Sequence, residues 1–76
     1  MPTNAMKSHR VRHLRAALRR CGCSPKRSKG SHEVWVTPAG RMVVLVVNHR
    51  GSDVSATVLS SVRRTLRAEG IELGPA

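Results

Sequence analysis

Residues 33–47 read EVWVTPAGRMVVLVV and contain two strand-like segments joined by a turn. In the first segment the side chains alternate, with Val34 and Val36 on one side of the strand and Glu33, Trp35 and Thr37 on the other. The central PAGR predicts a hairpin turn, because proline sets φ and glycine accepts a positive φ. The apolar run at 42–47 is rich in β-branched residues, and we predict that it is the best-buried strand.

Amphipathic helical patterns lie on both sides of this hairpin. Before it, apolar residues recur at helical spacing over residues 8–20, and Gly22 is a natural stop. After it, a second stripe predicts a helix over residues 55–69, with Gly70 at the left-handed position behind its end. The apolar positions of the two stripes are Val11, Leu14, Leu18 and Cys21 in the first, and Val58, Leu59, Val62 and Leu66 in the second.

A short segment at 23–27 is predicted to be an edge strand, since Pro25 does not fit a central one. The order of elements is then helix, strand, strand, strand, helix. We predict an α+β fold of α-β-β-β-α topology, in which two helices pack on one face of a three-stranded antiparallel sheet. This is the arrangement of double-stranded-RNA-binding-like domains. We expect a single domain over residues 8–73, preceded by a disordered N-terminal tail at residues 1–7.

Charge is the most distinctive compositional feature of the chain. Fourteen Lys and Arg residues against four Asp and Glu residues give a formal net charge of +10 over 76 residues. A charge of this size predicts a polyanionic partner, either a nucleic acid or an acidic protein. The chain has one tryptophan and no tyrosine or phenylalanine. This argues against RNA-recognition motifs and single-strand-binding barrels, which stack bases on exposed rings.

The two cysteines, Cys21 and Cys23, do not indicate a secreted scaffold or a metal site. They are two positions apart, which makes a disulfide awkward, and a closed zinc site usually draws four ligands at recognisable spacings. We expect no metal and no cofactor, and we interpret Cys21 as a small core residue. No apolar run reaches membrane-spanning length and no apolar signal core begins the chain, so we expect a cytoplasmic protein without membrane contact.

Residues 26–35, KRSKGSHEVW, put one imidazole at the start of a strand, beside a hydroxyl and three cations. Cleavage of RNA without a metal needs a base for the ribose 2′-hydroxyl, positive groups for the phosphorane and an acid for the leaving 5′-oxygen. Histidine side chains in general suit both proton transfers. We therefore predict that His32 is a general acid or base, with a solvated surface histidine as the alternative. The residues predicted to hold RNA phosphates around it are Lys26, Arg27, Lys29, Gly30 and Ser31.

The same residues carry a family resemblance. The tetrapeptide KGSH at 29–32, followed by a strand, a Pro-Gly hairpin and a second strand, resembles the HicA (YcfA-like) family of toxin mRNA interferases. The resemblance runs from about Leu14 to Ile71. It implies a double-stranded-RNA-binding-like fold and a metal-independent endoribonuclease with His32 as the catalytic histidine. It also implies a HicB-type antitoxin that covers His32, and complementarity to a +10 domain predicts an acidic contact surface on that partner.

One departure from the family pattern concerns His49. The family usually has a Val-Pro-x-His-like segment there, whereas Asn48 precedes His49 and no proline is near. We predict that His49 either serves as the acid opposite His32 or caps a loop.

The arginines of the first helix and Trp35 allow more than one interpretation. Arg12, Arg15 and Arg19 of the first helix are predicted to follow the RNA backbone, to dock the antitoxin, or both. Trp35 is predicted to cover a sheet edge, or to contact a base or the partner. His13 is predicted to be solvated.

Two other functions compete with the toxin: a non-catalytic module that binds double-stranded RNA by shape, and an accessory interaction protein that kept the fold and lost the activity.

Overall fold

Residues 9–48 and 52–74 are described by the computed structural model. Their secondary-structure elements, in chain order, are β1 (His9–Arg10), α1 (Val11–Arg20), β2 (Ser24–Lys29), β3 (His32–Val36), β4 (Met42–Val46), β5 (Asp53–Val54) and α2 (Ala56–Arg67). The two helices and the three longer strands confirm the predicted α-β-β-β-α order and the α+β class. The predicted tail at residues 1–7 lies outside the described residues.

Strands β2, β3 and β4 form an antiparallel sheet in that order. His32 lies opposite Lys29 on the β2 side and opposite Val46 on the β4 side. A register shift between Pro25 and Arg27 interrupts β2, as expected for an edge strand that contains proline. The sheet therefore has one irregular, cation-rich edge and one regular, apolar edge.

Strands β1 and β5 form a second, two-stranded sheet that the sequence patterns did not predict. Two-residue strands are too short to show a periodicity. The backbone N–H of Val11 donates to Ser52 O at 2.8 Å. This bond ties the start of α1 to the segment that leads into α2.

The sheet buries only the face that carries Trp35. Trp35 is 1% exposed, and Val43 and Leu45 are buried on the same face. Val34 and Val36 point to the other face and are half-buried. The alternation of β3 thus places Trp35, and not these two valines, in the core. The helix-covered side is occupied instead by tryptophan, the larger side chain, which buries more apolar surface.

The uninterrupted apolar run predicts β4 as the best-buried strand, yet this strand is buried on one face only. Its side chains alternate between the core and the solvent, because both helices belong to a core on the opposite face of the sheet. Met42, Val44 and Val46 are 62%, 43% and 41% exposed. We call the solvent-facing side of β3 and β4 the open face; it is formed by His32, Val34, Val36, Met42, Val44 and Val46.

Both helices contribute one apolar stripe to a single core, as predicted. Cys23, rather than Cys21, is the buried cysteine, and Cys21 packs half-buried at the margin of the core. Ser55 caps α2 by accepting a hydrogen bond from Val58 N at 3.2 Å. The buried helix positions are Val11, Leu14, Ala17 and Leu18 in α1, and Leu59, Val62 and Leu66 in α2.

Gly22 ends α1 as predicted, with a φ of +87°. Behind it the chain closes a Schellman ending, in which Cys23 N donates to Leu18 O at 2.9 Å. Gly70, with a φ of +75°, ends α2 in the same manner. The first of these endings turns the chain directly into β2, so the arginine-rich helix α1 runs beside the cation-rich edge strand.

Glu69, just behind α2, anchors the turn between β3 and β4. Its Oε2 accepts a hydrogen bond from Thr37 Oγ1 at 2.6 Å, and its Oε1 accepts one from Ala39 N at 3.2 Å. Thr37 is buried, so the first bond satisfies a hydroxyl that water does not reach. The hairpin that carries His32 is thereby tied to the second helix.

Candidate active site

His32 is the first residue of β3, and its side chain lies exposed on the open face. The strand register puts Lys29 directly across from it. Gly30, with a φ of +58°, makes the turn between the two strands. Ser31 Oγ lies 3.5 Å from His32 Nδ1. The KGSH tetrapeptide thus forms a tight turn that presents the imidazole at the end of the sheet.

The three predicted site residues His32, Lys29 and Arg27 meet in one hollow on this side of β2. The hollow has a volume of about 440 Å³, and Ser28 and Val34 complete its lining. It contains one imidazole and two cations, and no carboxylate lines it among the residues that the structure describes. A phosphodiester in this hollow would meet a proton-transfer group and positive charge together.

A groove on the other side of β2, between this strand and α1, holds several of the other predicted RNA-binding residues. We call it the α1–β2 groove. It consists of two adjoining hollows of about 510 Å³ and 240 Å³, and Arg15, Ser28 and Glu33 line both. The larger hollow is also lined by Gly30, Ser31, Val47 and Asn48, and the smaller one by Arg19, Pro25, Lys26, Arg27 and Trp35. Arg12 is exposed on α1 and lines neither of these two hollows.

An ion pair that the sequence did not predict spans this groove. Arg15 donates through Nε to Glu33 Oε1 at 3.0 Å and through Nη2 to Glu33 Oε2. The hydrogen bonds from Arg15 hold the pKa of the Glu33 carboxyl below its ordinary value; burial opposes this lowering, and a bond from Trp35 adds to it. The same contact raises the pKa of Arg15. A two-pronged, charge-assisted contact therefore fixes α1 to β3.

Trp35 lies beneath this pair rather than at a surface. Its Nε1 donates to Glu33 Oε1 at 3.1 Å, and the Arg19 guanidinium lies 5.3 Å from the ring centroid, within cation–π range. Because the side chain is buried, the predicted roles as edge cover, base platform or partner contact are wrong. Residues i and i+2 of a strand point to the same face. The two-residue spacing of Glu33 and Trp35 was therefore the sequence signal from which their contact could have been predicted.

Replacing Glu33 with glutamine is expected to remove a pH dependence of stability. Because the pKa of Glu33 is lowered in the folded protein, its stabilising contribution is complete above the ordinary glutamate pKa, about 4.3, and is lost as the pH falls through the lower folded value. The free energy of unfolding of the wild type should exceed that of Glu33→Gln by about 1–2 kcal/mol at neutral pH. Urea unfolding across the acid range measures the difference.

Glu72→Gln is the matched control for this prediction. Glu72 also accepts a hydrogen bond from an arginine, Arg67 Nη2 at 3.1 Å, but both side chains are exposed. An exposed pair contributes little to stability, so this variant should unfold like the wild type at neutral pH. A Glu33→Gln effect that stays constant as the pH falls would contradict the ion-pair interpretation.

Among residues 9–48 and 52–74, no group of three or more His, Cys, Asp and Glu side chains is arranged to hold a metal ion. No helix within the same ranges is long and apolar enough to cross a membrane. His13 is exposed on α1, as predicted. His49, the candidate second acid, lies outside the described residues.

The whole arrangement coincides with a match to a known family. A sequence model described as "HicA toxin of bacterial toxin-antitoxin" matches residues 11–70, from the start of α1 to the glycine behind α2. The chain belongs to the HicA toxin family. As a HicA toxin it is the toxin component of a toxin–antitoxin system, so an antitoxin is its partner in general terms. Comparison with curated proteins and with solved structures gives no significant match.

Proposed function

We propose that this HicA toxin is an endoribonuclease that cleaves mRNA without a metal ion, with His32 as general acid or base. The observation that carries the proposal is the register of the β2–β3 hairpin. It pairs His32 with Lys29 in an exposed hollow that Arg27 also lines. We expect the protein to act in the cytoplasm, where its substrate is found.

The proposed reaction is a transesterification within the RNA chain. His32 in its base role takes the proton from a ribose 2′-hydroxyl, and the oxygen attacks the adjacent phosphorus. The bond from phosphorus to the 5′-oxygen breaks, and that oxygen receives a proton from an acid. The products are a 2′,3′-cyclic phosphate and a 5′-hydroxyl. Lys29 and Arg27 stabilise the negative charge that develops on the phosphorane.

The α1–β2 groove supports a path for the RNA backbone towards this hollow. Arg19 and Lys26 line the groove, and Arg27 lines both the groove and the hollow of His32. Glu33 neutralises much of the charge of Arg15, so Arg19 and Lys26 contribute more to phosphate binding in our proposal. Arg12 extends the same basic surface along α1. Binding through such contacts weakens steeply as the salt concentration rises.

The test of this function is cleavage of an end-labelled mRNA by the purified protein in EDTA, with analysis of the product ends. Cyclic-phosphate and 5′-hydroxyl ends in EDTA are the expected result. Activity that disappears in EDTA and returns with magnesium would contradict the metal-free mechanism. Salt-sensitive RNA binding without any cleavage would instead favour a non-catalytic RNA-binding module.

A HicB-type antitoxin with an acidic contact surface is the proposed partner. The open face supports this proposal, because it combines exposed apolar side chains on β4 with the hollow that contains His32 and Lys29. Apolar surface of this kind marks protein-binding sites. A partner seated there would bury Met42 and Val44, cover His32, and set its carboxylates against the cations of β2.

Replacing Met42 and Val44 together by threonine is expected to weaken antitoxin binding by about tenfold or more. Both substitutions keep a residue suited to a strand and remove apolar surface, at about 25 cal/mol per Å². Isothermal titration calorimetry with the purified antitoxin measures the change in Kd. Ser60→Ala with Ser61→Ala, on the exposed side of α2, is the control. An unchanged Kd for the threonine variant would place the antitoxin elsewhere on the toxin.

A further inference from the structure

The larger hollow of the α1–β2 groove lies directly behind the turn that carries His32. Ser31 connects the two sides: it lines this hollow, and its Oγ is 3.5 Å from His32 Nδ1. His32 and Glu33 are consecutive in a strand, so their side chains point to opposite faces. An RNA strand with its phosphate beside His32 therefore has a second recess within reach across the turn.

This recess has the size and polarity to hold a nucleobase. Its volume is about 510 Å³, and its lining is predominantly polar, with Arg15, Glu33, Ser28 and Ser31 as the side chains that carry charge or hydroxyl groups. Arg15 is partly accessible, with 37% of its side chain exposed. A guanidinium is a flat surface on which a base can stack. Trp35, the only Trp, Tyr or Phe in the chain, is buried, and no histidine lines the recess among the described residues, so the Arg15 guanidinium is the stacking surface that the recess offers.

The ion pair also leaves hydrogen-bond donors and acceptors unused, and these suit the edge of a nucleobase. Glu33 Oε1 accepts two hydrogen bonds, from Arg15 Nε and Trp35 Nε1, whereas Oε2 accepts one, from Arg15 Nη2. A carboxylate oxygen has two acceptor positions, and an arginine carries five N–H donors of which the pair uses two. One acceptor on Glu33 and further donors on Arg15 thus stand side by side in the recess. The bond from Trp35 Nε1 to Oε1 helps to orient the carboxylate that carries this acceptor.

We infer that the recess reads the base of a nucleotide next to the scissile phosphate, with Glu33 as a specificity-determining residue. This inference rests on the proposed ribonuclease function. An exocyclic amino group on the base donates to Glu33 Oε2, and the neighbouring ring nitrogen or carbonyl accepts from Arg15. Uracil fits worst, because its only N–H is flanked by two carbonyl oxygens and one of these would face the carboxylate. Cytosine, which has an amino group where uracil has a carbonyl, is favoured over uracil.

The experiment compares the affinities of oligocytidine and oligouridine of equal length, measured by fluorescence anisotropy. All proteins carry His32→Ala so that the RNA stays intact. With Glu33 present, oligocytidine should bind about tenfold more tightly than oligouridine, as expected for one good hydrogen-bonded base contact. Adding Glu33→Gln should reduce this ratio to about twofold or less. Adding Glu72→Gln, which changes an ion-paired carboxylate that does not line the recess, should leave the ratio unchanged.

Three results distinguish the inference from the function on which it rests. A cytosine-to-uracil ratio near one with Glu33 present, or a ratio that survives Glu33→Gln, overturns the base-reading role. It leaves the ribonuclease proposal intact if the wild type cleaves RNA. Failure of the wild type to cleave RNA overturns the proposed function itself. Circular dichroism of each variant shows that it is folded, and Arg15→Lys, which keeps the charge but loses the flat guanidinium, should weaken both oligonucleotides.

Discussion

Replacing His32 with alanine is expected to reduce RNA cleavage by about 10²–10⁴-fold, the usual contribution of a positioned acid or base. The residue is exposed at the end of β3 and contributes no side chain to the core. Its removal should therefore change the free energy of unfolding by no more than about 0.5 kcal/mol. RNA binding should be nearly unchanged, because Lys29 and Arg27 remain. The rate constant for cleavage under single-turnover conditions, with unfolding by urea measured in parallel, tests all three expectations.

His13→Ala is the matched control, since it removes the same side chain from an exposed position on α1. It should cleave RNA at the wild-type rate. If His32→Ala and the wild type cut equally fast, the nuclease is a contaminant or uses another residue, and His49 is then the next position to replace. In a cell, expression of the wild type should arrest growth, and expression of His32→Ala at the same level should not.

The order of elements was predictable because each element shows its own local pattern. The 3.6-residue period of Leu14 and Leu18, and later of Val62 and Leu66, needs no knowledge of the rest of the chain. Gly22 was equally readable, because a positive φ behind a helix is a local requirement that glycine meets without strain. The turn between β3 and β4 also followed from neighbouring residues alone, namely Pro38 and Gly40. Local chemistry thus accounts for the helices, the hairpins and the presence of a histidine beside a lysine.

Which face of the sheet is buried was not predictable from the alternation of side chains alone. Val34 and Val36 are apolar and so is Trp35, so both sides of β3 read as possible core sides. The choice depends on what the helices cover, which is a contact between elements distant in sequence. Once the helices cover the side of Trp35, the valines and the alternate residues of β4 are left in the open face. That surface is the part of the molecule best suited to the proposed antitoxin, although its β4 residues belong to the apolar run that predicts the best-buried strand.

The contact between Arg15 and Glu33 was out of reach for the same reason. The two residues are 18 positions apart, and no local rule selects which of several arginines on α1 meets the first acid of the chain. The hollow that contains His32 is formed by the β2–β3 hairpin alone, so neighbouring residues are enough to predict it. The recess behind it forms only when α1 packs against the sheet. The proposed cleavage residue is therefore visible in the sequence, and the proposed base-reading residue is visible only in the fold.

Replacing Trp35 with alanine is expected to destabilise the protein by about 3–5 kcal/mol, the range for removing a large aromatic side chain from a core. Trp35 is the largest fully buried side chain among the described residues. It also donates to Glu33 and lies under Arg19, so its loss also releases the contact between α1 and β3. At about 0.05–0.15 kcal/mol per residue, a chain of 76 residues has a total stability of about 4–11 kcal/mol. The variant should consequently lose a large part of this stability and unfold at a much lower urea concentration than the wild type.

Far-UV circular dichroism must follow this unfolding, because Trp35 is the only tryptophan and its fluorescence disappears with the substitution. Two further variants separate the contribution of the indole hydrogen bond from that of the buried ring. Trp35→Phe keeps an aromatic ring and loses the indole N–H, so it should cost less than Trp35→Ala, mainly through the bond to Glu33. Val44→Ala, on the open face of the neighbouring strand, should cost about 1 kcal/mol or less because the side chain is already 43% exposed. Equal losses for Trp35→Ala and Val44→Ala would mean that the helices do not pack on the side of the sheet that carries Trp35.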